Sequence, residues 1–399
     1  MALSAHGQFL VPRISDTHVS WKIDIQHKMK IVFILNAIHM QRCVKRIDEF
    51  ADNGYEIEAY GFDRGIIVKK YPQSCCVNII GQIDNSKSYL ARLYTMLNGI
   101  RKVLNTTSEK DTLYYIFGLD NVLFFKLLSS RKYIYEESDL VHTYIKSKIA
   151  VDLFEWLDKR AIKGSFYSVF TSDGFVKYHF GKIHPENTTV IANKLPPIVT
   201  QKTFVRSKCL DINKIDIGFV GYIRFHTIYN FAYVFCKYFP NHRFHFFGTT
   251  EDEYNRNMFN GLNQFPNCVF HGAFKHPDDL SNIYSQIDLV LSTYDVENDN
   301  VRYAEPNKIY ESIYYETPII VSSATYLAEK VEQLGIGYSI DATNEEMIVD
   351  FVNKLTIAEI KEKVSNIQRI DKYTTLNINQ DFFMRLNKKI EDEKIVSDF

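Results

Sequence analysis

Short apolar runs alternate with amphipathic stretches along nearly the whole chain, in two successive series divided by one lapse. Lys30–Leu35 (KIVFIL) opens the first series. An amphipathic segment over 40–52 follows and stops at Asn53-Gly54, ahead of a strand-like run at 56–60. The pattern resumes with strand candidates Thr112–Phe117, 132–135, Tyr167–Phe170 and 189–192, and helix candidates at 121–128 and 144–163. Strands separated by helix-length segments predict βαβ units and a doubly wound, largely parallel sheet. Over 195–210 the periodicity lapses at Pro196-Pro197 and reads as a linker. A second series then gives strand candidates at 215–220, Arg243–Phe247, 268–271, 287–291, 318–321 and Gly337–Ile340. At 399 residues the chain is long enough for two such domains. The expected division is an extension over 1–28, ending before Met29, a first Rossmann-like domain over 29–205, a second over 206–375, and a closing helix over 376–399 that packs back on the first.

The chemistry must be carried by particular residues, because the bulk composition is neutral. Net charge is −1, so no overall basic field recruits nucleic acid. None of the six cysteines shows the paired short spacing of a zinc site, and Cys75-Cys76 reads as structural. Free thiols, no signal-peptide core and no run of about 18 apolar residues predict a soluble cytoplasmic protein. The 26 Tyr and 29 Phe fit well-filled cores, with a groove that stacks sugars or bases as the alternative.

Two stretches have residue types suited to a phosphorylated ligand. Gly218-Phe-Val-Gly221-Tyr222-Ile223-Arg224 ends a strand candidate before a helix candidate at 228–238. A glycine there lets backbone amides approach a diphosphate, the helix start adds a favourable dipole, and Arg224 adds a forked cation; the plain alternative is strand-ending punctuation. In Glu305-Pro306-Asn307-Lys308-Ile309-Tyr310-Glu311-Ser312, Pro306 and Thr317-Pro318 delimit one short helix. Its Lys308 and Glu311 share a face, suited to phosphate charge and ribose hydroxyls, or else to a surface ion pair.

On these residues the stretch 217–340 resembles the donor domain of GT-B fold glycosyltransferases, especially the retaining family 4. The landmarks are Gly221 with Arg224, Phe247-Gly248, Val269-Phe270-His271-Gly272, Ile287-Asp288-Leu289-Val290-Leu291, and Glu311 followed seven residues on by Pro318-Ile319-Ile320-Val321. Residues 306–311 look like the P-x-K-x-x-E form of capsule and surface-polysaccharide transferases. The first half is similar more loosely, through Arg42, Lys45-Arg46, 60–65 and the loops 135–140 and 171–174.

The resemblance implies a metal-independent, cofactor-free hexosyltransferase that moves a sugar from a nucleotide diphosphate donor to a glycan or polyprenyl-diphosphate-linked acceptor, with retention. By the same resemblance Gly221 and Arg224 stabilise the leaving diphosphate and Glu311 holds ribose, with Lys308 the candidate to substitute for the family's loop lysine; Tyr222, Gly248, Tyr303, Glu305 and Asn307 line the donor site, and Phe274 neighbours the base or else is a core aromatic. Glu137 and Asp139 are first-domain acid or base candidates, or simply solvating and capping groups. The sequence departs from the family at Tyr303, which stands where the first of two paired glutamates is usual, at 225–228, which lacks the usual lysine, and at Glu316, which replaces a glycine. A catalytically silent partner subunit and a nucleotide-sugar epimerase are the competing readings. The basic, apolar stretch 87–102 reads as an ordinary amphipathic helix or as a peripheral membrane contact.

Overall fold

The computed structural model describes residues 29–65, 75, 77–84, 86, 88–206, 209–250 and 253–397. The extension over 1–28, Cys76 and Lys87 lie outside the described residues. In the first half the order is β1 (Lys30–Leu35), α1 (Gln41–Asp52), β2 (Glu56–Asp63), β3 (Val77–Gln82), α2 (Tyr89–Thr106), β4 (Thr112–Phe117), α3 (Leu119–Leu128), β5 (Tyr133–Glu137), α4 (Lys148–Lys163), β6 (Tyr167–Phe170), α5 (Asp173–Phe180) and β7 (Thr188–Val190). The second half begins with β8 (Asp216–Val220), α6 (His226–Tyr238), β9 (Arg243–Phe247), α7 (Glu253–Asn260), β10 (Cys268–Gly272), α8 (Leu280–Gln286) and β11 (Leu289–Ser292). It ends with α9 (Asp299–Tyr303), α10 (Lys308–Tyr314), β12 (Ile319–Ser322), α11 (Tyr326–Leu334), β13 (Gly337–Ile340), α12 (Glu345–Lys354), α13 (Ile357–Gln368) and α14 (Gln380–Ser397).

Central strands such as β4 are buried at every position, because helices cover both faces of the sheet and leave no solvated side. The first sheet runs β3-β2-β1-β4-β5-β6-β7 and the second β10-β9-β8-β11-β12-β13, with parallel pairing throughout. Strand order reverses between β1 and β4, and again between β8 and β11. In such sheets ligands bind at the carboxyl ends of the strands beside the reversal. This is the doubly wound α/β arrangement expected from the sequence, in GT-B form.

One strand differs from the expectation. β3 has no counterpart in the sequence pattern: it is an edge strand with Ile80 alone buried, so its alternation is faint. In the stretch read as a linker, Leu195 and Val199 are buried in the second domain's core. Leu195 also bridges Leu376, through Leu195 N donating to Thr375 O (3.0 Å) and Asn377 N donating to Leu195 O (2.7 Å). Beyond that bridge α14 adds Phe382, Phe383, Leu386 and Ile390 to the core under the first sheet. The apolar residues of α2 (Met96, Ile100, Val103, Leu104) turn into the first domain's other core.

Candidate functional site

A cavity of about 730 Å³ opens between the two sheets, lined from both domains. The first domain contributes Arg42 of α1, Ser138 and Asp139 after β5, and Thr171 after β6. The second contributes Tyr222 and Arg224 after β8, Ser292 at the end of β11 with Tyr294 and Asp295 after it, and Glu305 to Lys308 at the start of α10. Both walls are therefore carboxyl ends of parallel strands, where the strand reversals place them.

Lys308 dominates the second wall. Its side chain is buried, with Nζ 4.7 Å from the Phe219 ring centroid and 3.5 Å from Tyr294 Oη. Among the described residues no carboxylate lies within ion-pair distance of that Nζ. Buried ammonium groups are almost always paired, because desolvation disfavours the charge. A Cβ placed on Gly221 would sit 3.2 Å from Lys308 Nζ, so the glycine makes room for the cation. Arg224 is exposed above it and lies over the Phe225 ring at 4.7 Å, and Phe225 meets Tyr294 edge to face at 4.9 Å. Two cations thus flank the cavity on an aromatic bed.

The amides that a phosphate cradle would use are engaged elsewhere. Gly221 N donates to Phe247 O and Gly248 N to Gly272 O, each at 2.8 Å. A Cβ on Gly248, at φ 143°, would come within 1.8 Å of Gly221 O, so this glycine permits the close approach of β8 and β9 ends. The start of α6, expected to lend its dipole to a diphosphate, is capped by Asp295, whose carboxylate accepts from His226 N (3.1 Å) and Thr227 N (2.9 Å). What this end of the second sheet offers the cavity is instead side-chain cations, Arg224 and Lys308.

The remaining predicted residues are scattered. Tyr222 is exposed at the rim, and Asn307 lines the cavity while its amide donates to Glu311. Glu311 is buried beneath it, accepting also from Tyr284 Oη at 2.7 Å, with His276 Nε2 at 3.6 Å. Glu305 is buried and held by Lys330 Nζ (2.8 and 2.9 Å) and by Tyr310, so its carboxylate is neutralised by the chain itself. Phe274 packs on the second domain's core and does not line the cavity. Tyr303 stacks edge-on against Tyr178, and its carbonyl accepts from Ser172 Oγ at 2.7 Å.

In the first domain Glu137 faces inward, with both carboxylate oxygens at 2.9 to 3.0 Å from His179 Nε2. Burial and then the nearby Asp158 push Glu137 up to about 7. Burial by itself would lower His179, but the Glu137 carboxylate outweighs it and raises the imidazole. Asp139 is exposed at the cavity edge, where Asn300 Nδ2 donates to its Oδ1 at 3.2 Å.

Sequence reasoning missed Asn298 and Asn300. Asn300 also donates to Tyr144 Oη (2.9 Å) and accepts from Leu140 N (2.7 Å), while Asn298 accepts from Thr143 Oγ1 (2.8 Å). Together they clip the 139–144 loop of the first domain to the second. Read alone, Asn298-Asp-Asn300 signals only a helix start, and Asn298 does cap α9 by accepting from Asn300 N. Its second role depends on a chain segment some 155 residues away.

No protein-family model and no curated protein matches this sequence. Solved structures share the fold at low identity. A sucrose-phosphate synthase from Thermosynechococcus elongatus superposes with TM-score 0.64 at 13% identity, over 93% of this chain and 100% of that one. Anabaena HepE, solved with UDP and glucose, gives 0.62 at 15% identity over 90% and 99%. The lipopolysaccharide outer core galactosyltransferase WaaB in its apo form gives 0.59 at 16% over 92% and 100%. Coverage of both partners is nearly complete, so the likeness is to the whole two-domain architecture.

Proposed function

We propose that this protein is a glycosyltransferase that takes a sugar from a nucleoside diphosphate donor held in the cleft. The observation that carries this is Lys308: a buried ammonium, unpaired by any described carboxylate, beside Arg224 at the carboxyl ends of a parallel sheet. Such a site is complementary to a diphosphate, and most complementary when the sugar bond breaks and negative charge builds on the leaving oxygen. Lys308 and Arg224 then neutralise that charge with no metal ion required of the scheme. Asn307, oriented by Glu311, meets the ribose, and the 139–144 loop presents the acceptor side through Asp139. HepE was solved with UDP and glucose and with UDP-glucose, which supports a uridine donor as the first to try. A glycan or polyprenyl-diphosphate acceptor in surface polysaccharide assembly, with retention, completes the reading.

A catalytically silent nucleotide-sugar binder is favoured by one observation, the neutralisation of Glu305 by Lys330. Thermal melts with UDP, GDP, CMP and ADP, alongside their sugar donors, test the donor site. A ligand that binds only the folded state at a hundred times its Kd stabilises by about 2.7 kcal/mol. One nucleoside diphosphate should raise Tm, and Lys308→Ala and Arg224→Ala should each cut the rise; no response to any nucleotide would sink the proposal. Donor turnover, measured as released diphosphate, separates transferase from silent binder.

A further inference from the structure

Just inside the first domain's wall of the cavity, four side chains converge that the donor site does not use. Glu137 ends β5, Asp158 comes from α4, His179 from α5, and His142 from the 139–144 loop. None of them is more than 6% exposed. A carboxylate oxygen of Glu137, one of Asp158 and a ring nitrogen of His179 lie within 4.8 Å of one another. His142 adds a fourth donor, with Nδ1 standing 3.6 Å from Asp158 Oδ2. At that length the two atoms are not hydrogen-bonded to each other, and neither has another hydrogen-bond partner among the described residues. Buried polar atoms are nearly always satisfied, so an orphaned imidazole nitrogen facing an orphaned carboxylate oxygen points to a group that belongs between them.

The atoms on the far side of these two groups are already held. Tyr135 Oη donates to Asp158 Oδ1 at 3.0 Å, and Tyr178 Oη lies 3.1 Å from His142 Nε2. Outer bonds of this kind fix the orientation of metal ligands, and a His142 that donates through Nε2 to Tyr178 presents a bare lone pair on Nδ1. The spacings agree. Donors arranged tetrahedrally about 2.0–2.1 Å from a zinc ion stand roughly 3.3 Å apart. The His179–Glu137 separations of 2.9 and 3.0 Å and the His142–Asp158 separation of 3.6 Å fall on either side of that value. Two carboxylates with two neutral imidazoles also cancel a divalent cation, in a place where uncompensated charge is costly.

We propose that Glu137, His142, Asp158 and His179 bind a divalent transition-metal ion, zinc by their mixture of imidazole and carboxylate donors. In the metal-free chain a proton held between Glu137 and His179 takes the ion's place, and metal entry releases it. Four protein donors leave no position for substrate, so the ion is structural. It ties β5, α4 and α5 to the loop that carries Asp139 and Tyr144 into the cavity, and holds from the first domain the segment that Asn298 and Asn300 hold from the second. None of this depends on the transferase reading.

The test uses the full chain, purified without a metal-affinity step, with its metal content read by plasma mass spectrometry. One zinc per chain should be found, either in the protein as purified or after EDTA-stripped protein is titrated with zinc chloride, and Tm should rise with it. Co2+ in its place should give the strong visible bands of a tetrahedral site. His142→Asn and Asp158→Asn each remove a donor and should weaken zinc by about 100-fold or more, while Tyr178→Phe, which removes an outer bond, should weaken it by about tenfold. Zinc should also slow hydrogen exchange of the 139–144 amides, a change that zinc on an unrelated surface site would not produce. A protein that neither holds nor takes up zinc, with a melt indifferent to Zn2+ and Co2+, would overturn the proposal and leave a buried water between His142 and Asp158. So would zinc whose affinity neither donor substitution changes, or a preference for Mg2+. Should both variants misfold, the parent's stoichiometry, Co2+ spectrum and exchange decide by themselves.

Discussion

Two buried cations, one in each domain, are treated in opposite ways by the fold. Arg46 of α1 is enclosed by carboxylates, with Nε donating to Glu136 Oε2 at 3.0 Å and a second bond to Glu49, while Tyr115 donates to the same Glu136 oxygen. Burial disfavours its charge, but Glu136 and Glu49 outweigh that and raise the guanidinium's affinity for its proton. Lys308 is as buried and has rings and a distant phenol for neighbours. A charge that serves the fold comes with its counter-charge built in. A charge kept without one is kept for something that arrives from outside, and the protein forgoes stability to hold it ready.

The comparison breaks most readily by substitution. Arg46→Met leaves Glu136 charged in the interior, and chemical denaturation should show a loss of about 3–5 kcal/mol. Lys308→Met removes an unpaired charge instead, so the same measurement should show no loss or a gain, while donor turnover falls by about 10²–10³. If Lys308→Met unfolds the protein as Arg46→Met does, the two cations are equivalent and the contrast is wrong.

A third case, the buried Glu137–His179 pair, sharpens the contrast by replacing a fixed cation with a proton. Asp158, His142, Tyr135 and Tyr178 surround it. In the metal-free chain both members bind protons more tightly folded than unfolded, so unfolding releases protons from the pair and its contribution to stability is greatest at low pH. It should decline by roughly 1–3 kcal/mol as pH rises from the ordinary carboxyl range through about 7 and past the raised imidazole. Denaturation of Glu137→Gln across that range should give a flatter profile, since it removes the raised carboxyl together with the charge that raises His179; an unchanged slope would remove the pair from the account. The smallest effect is expected at Asn300→Ala. Losing its bonds to Leu140, Asp139 and Tyr144 should weaken the closed cleft by about 1 kcal/mol, seen as a lower kcat/KM with the nucleotide-free melt nearly unchanged.

The second domain was the more legible from sequence. β9 begins and ends where its apolar run does, since a strand covered on both faces has no polar alternation to blur its limits. β3 escaped notice for the opposite reason, lying half exposed at a sheet edge. In the cavity, Lys308 and Arg224 could be picked out because a Pro-led helix and a strand-ending glycine mark their positions. Their relation could not, because Gly221 making room for Lys308 joins positions 87 residues apart. The partners of Glu305, Glu311 and Glu137 were invisible likewise: Lys330, Tyr284 and His179 have no spacing that ties them to a carboxylate until strands and helices are packed.

The polypeptide passes between domains once before β8 and again before α14, and the two passages are bonded to each other at Leu195 and Leu376. A single tether would let one domain swivel in any direction. Two strands fastened side by side leave a preferred axis, as a door turns on a pair of pins, so opening and closing should retrace one arc and return the Asn298–Asn300 clip to its register each time.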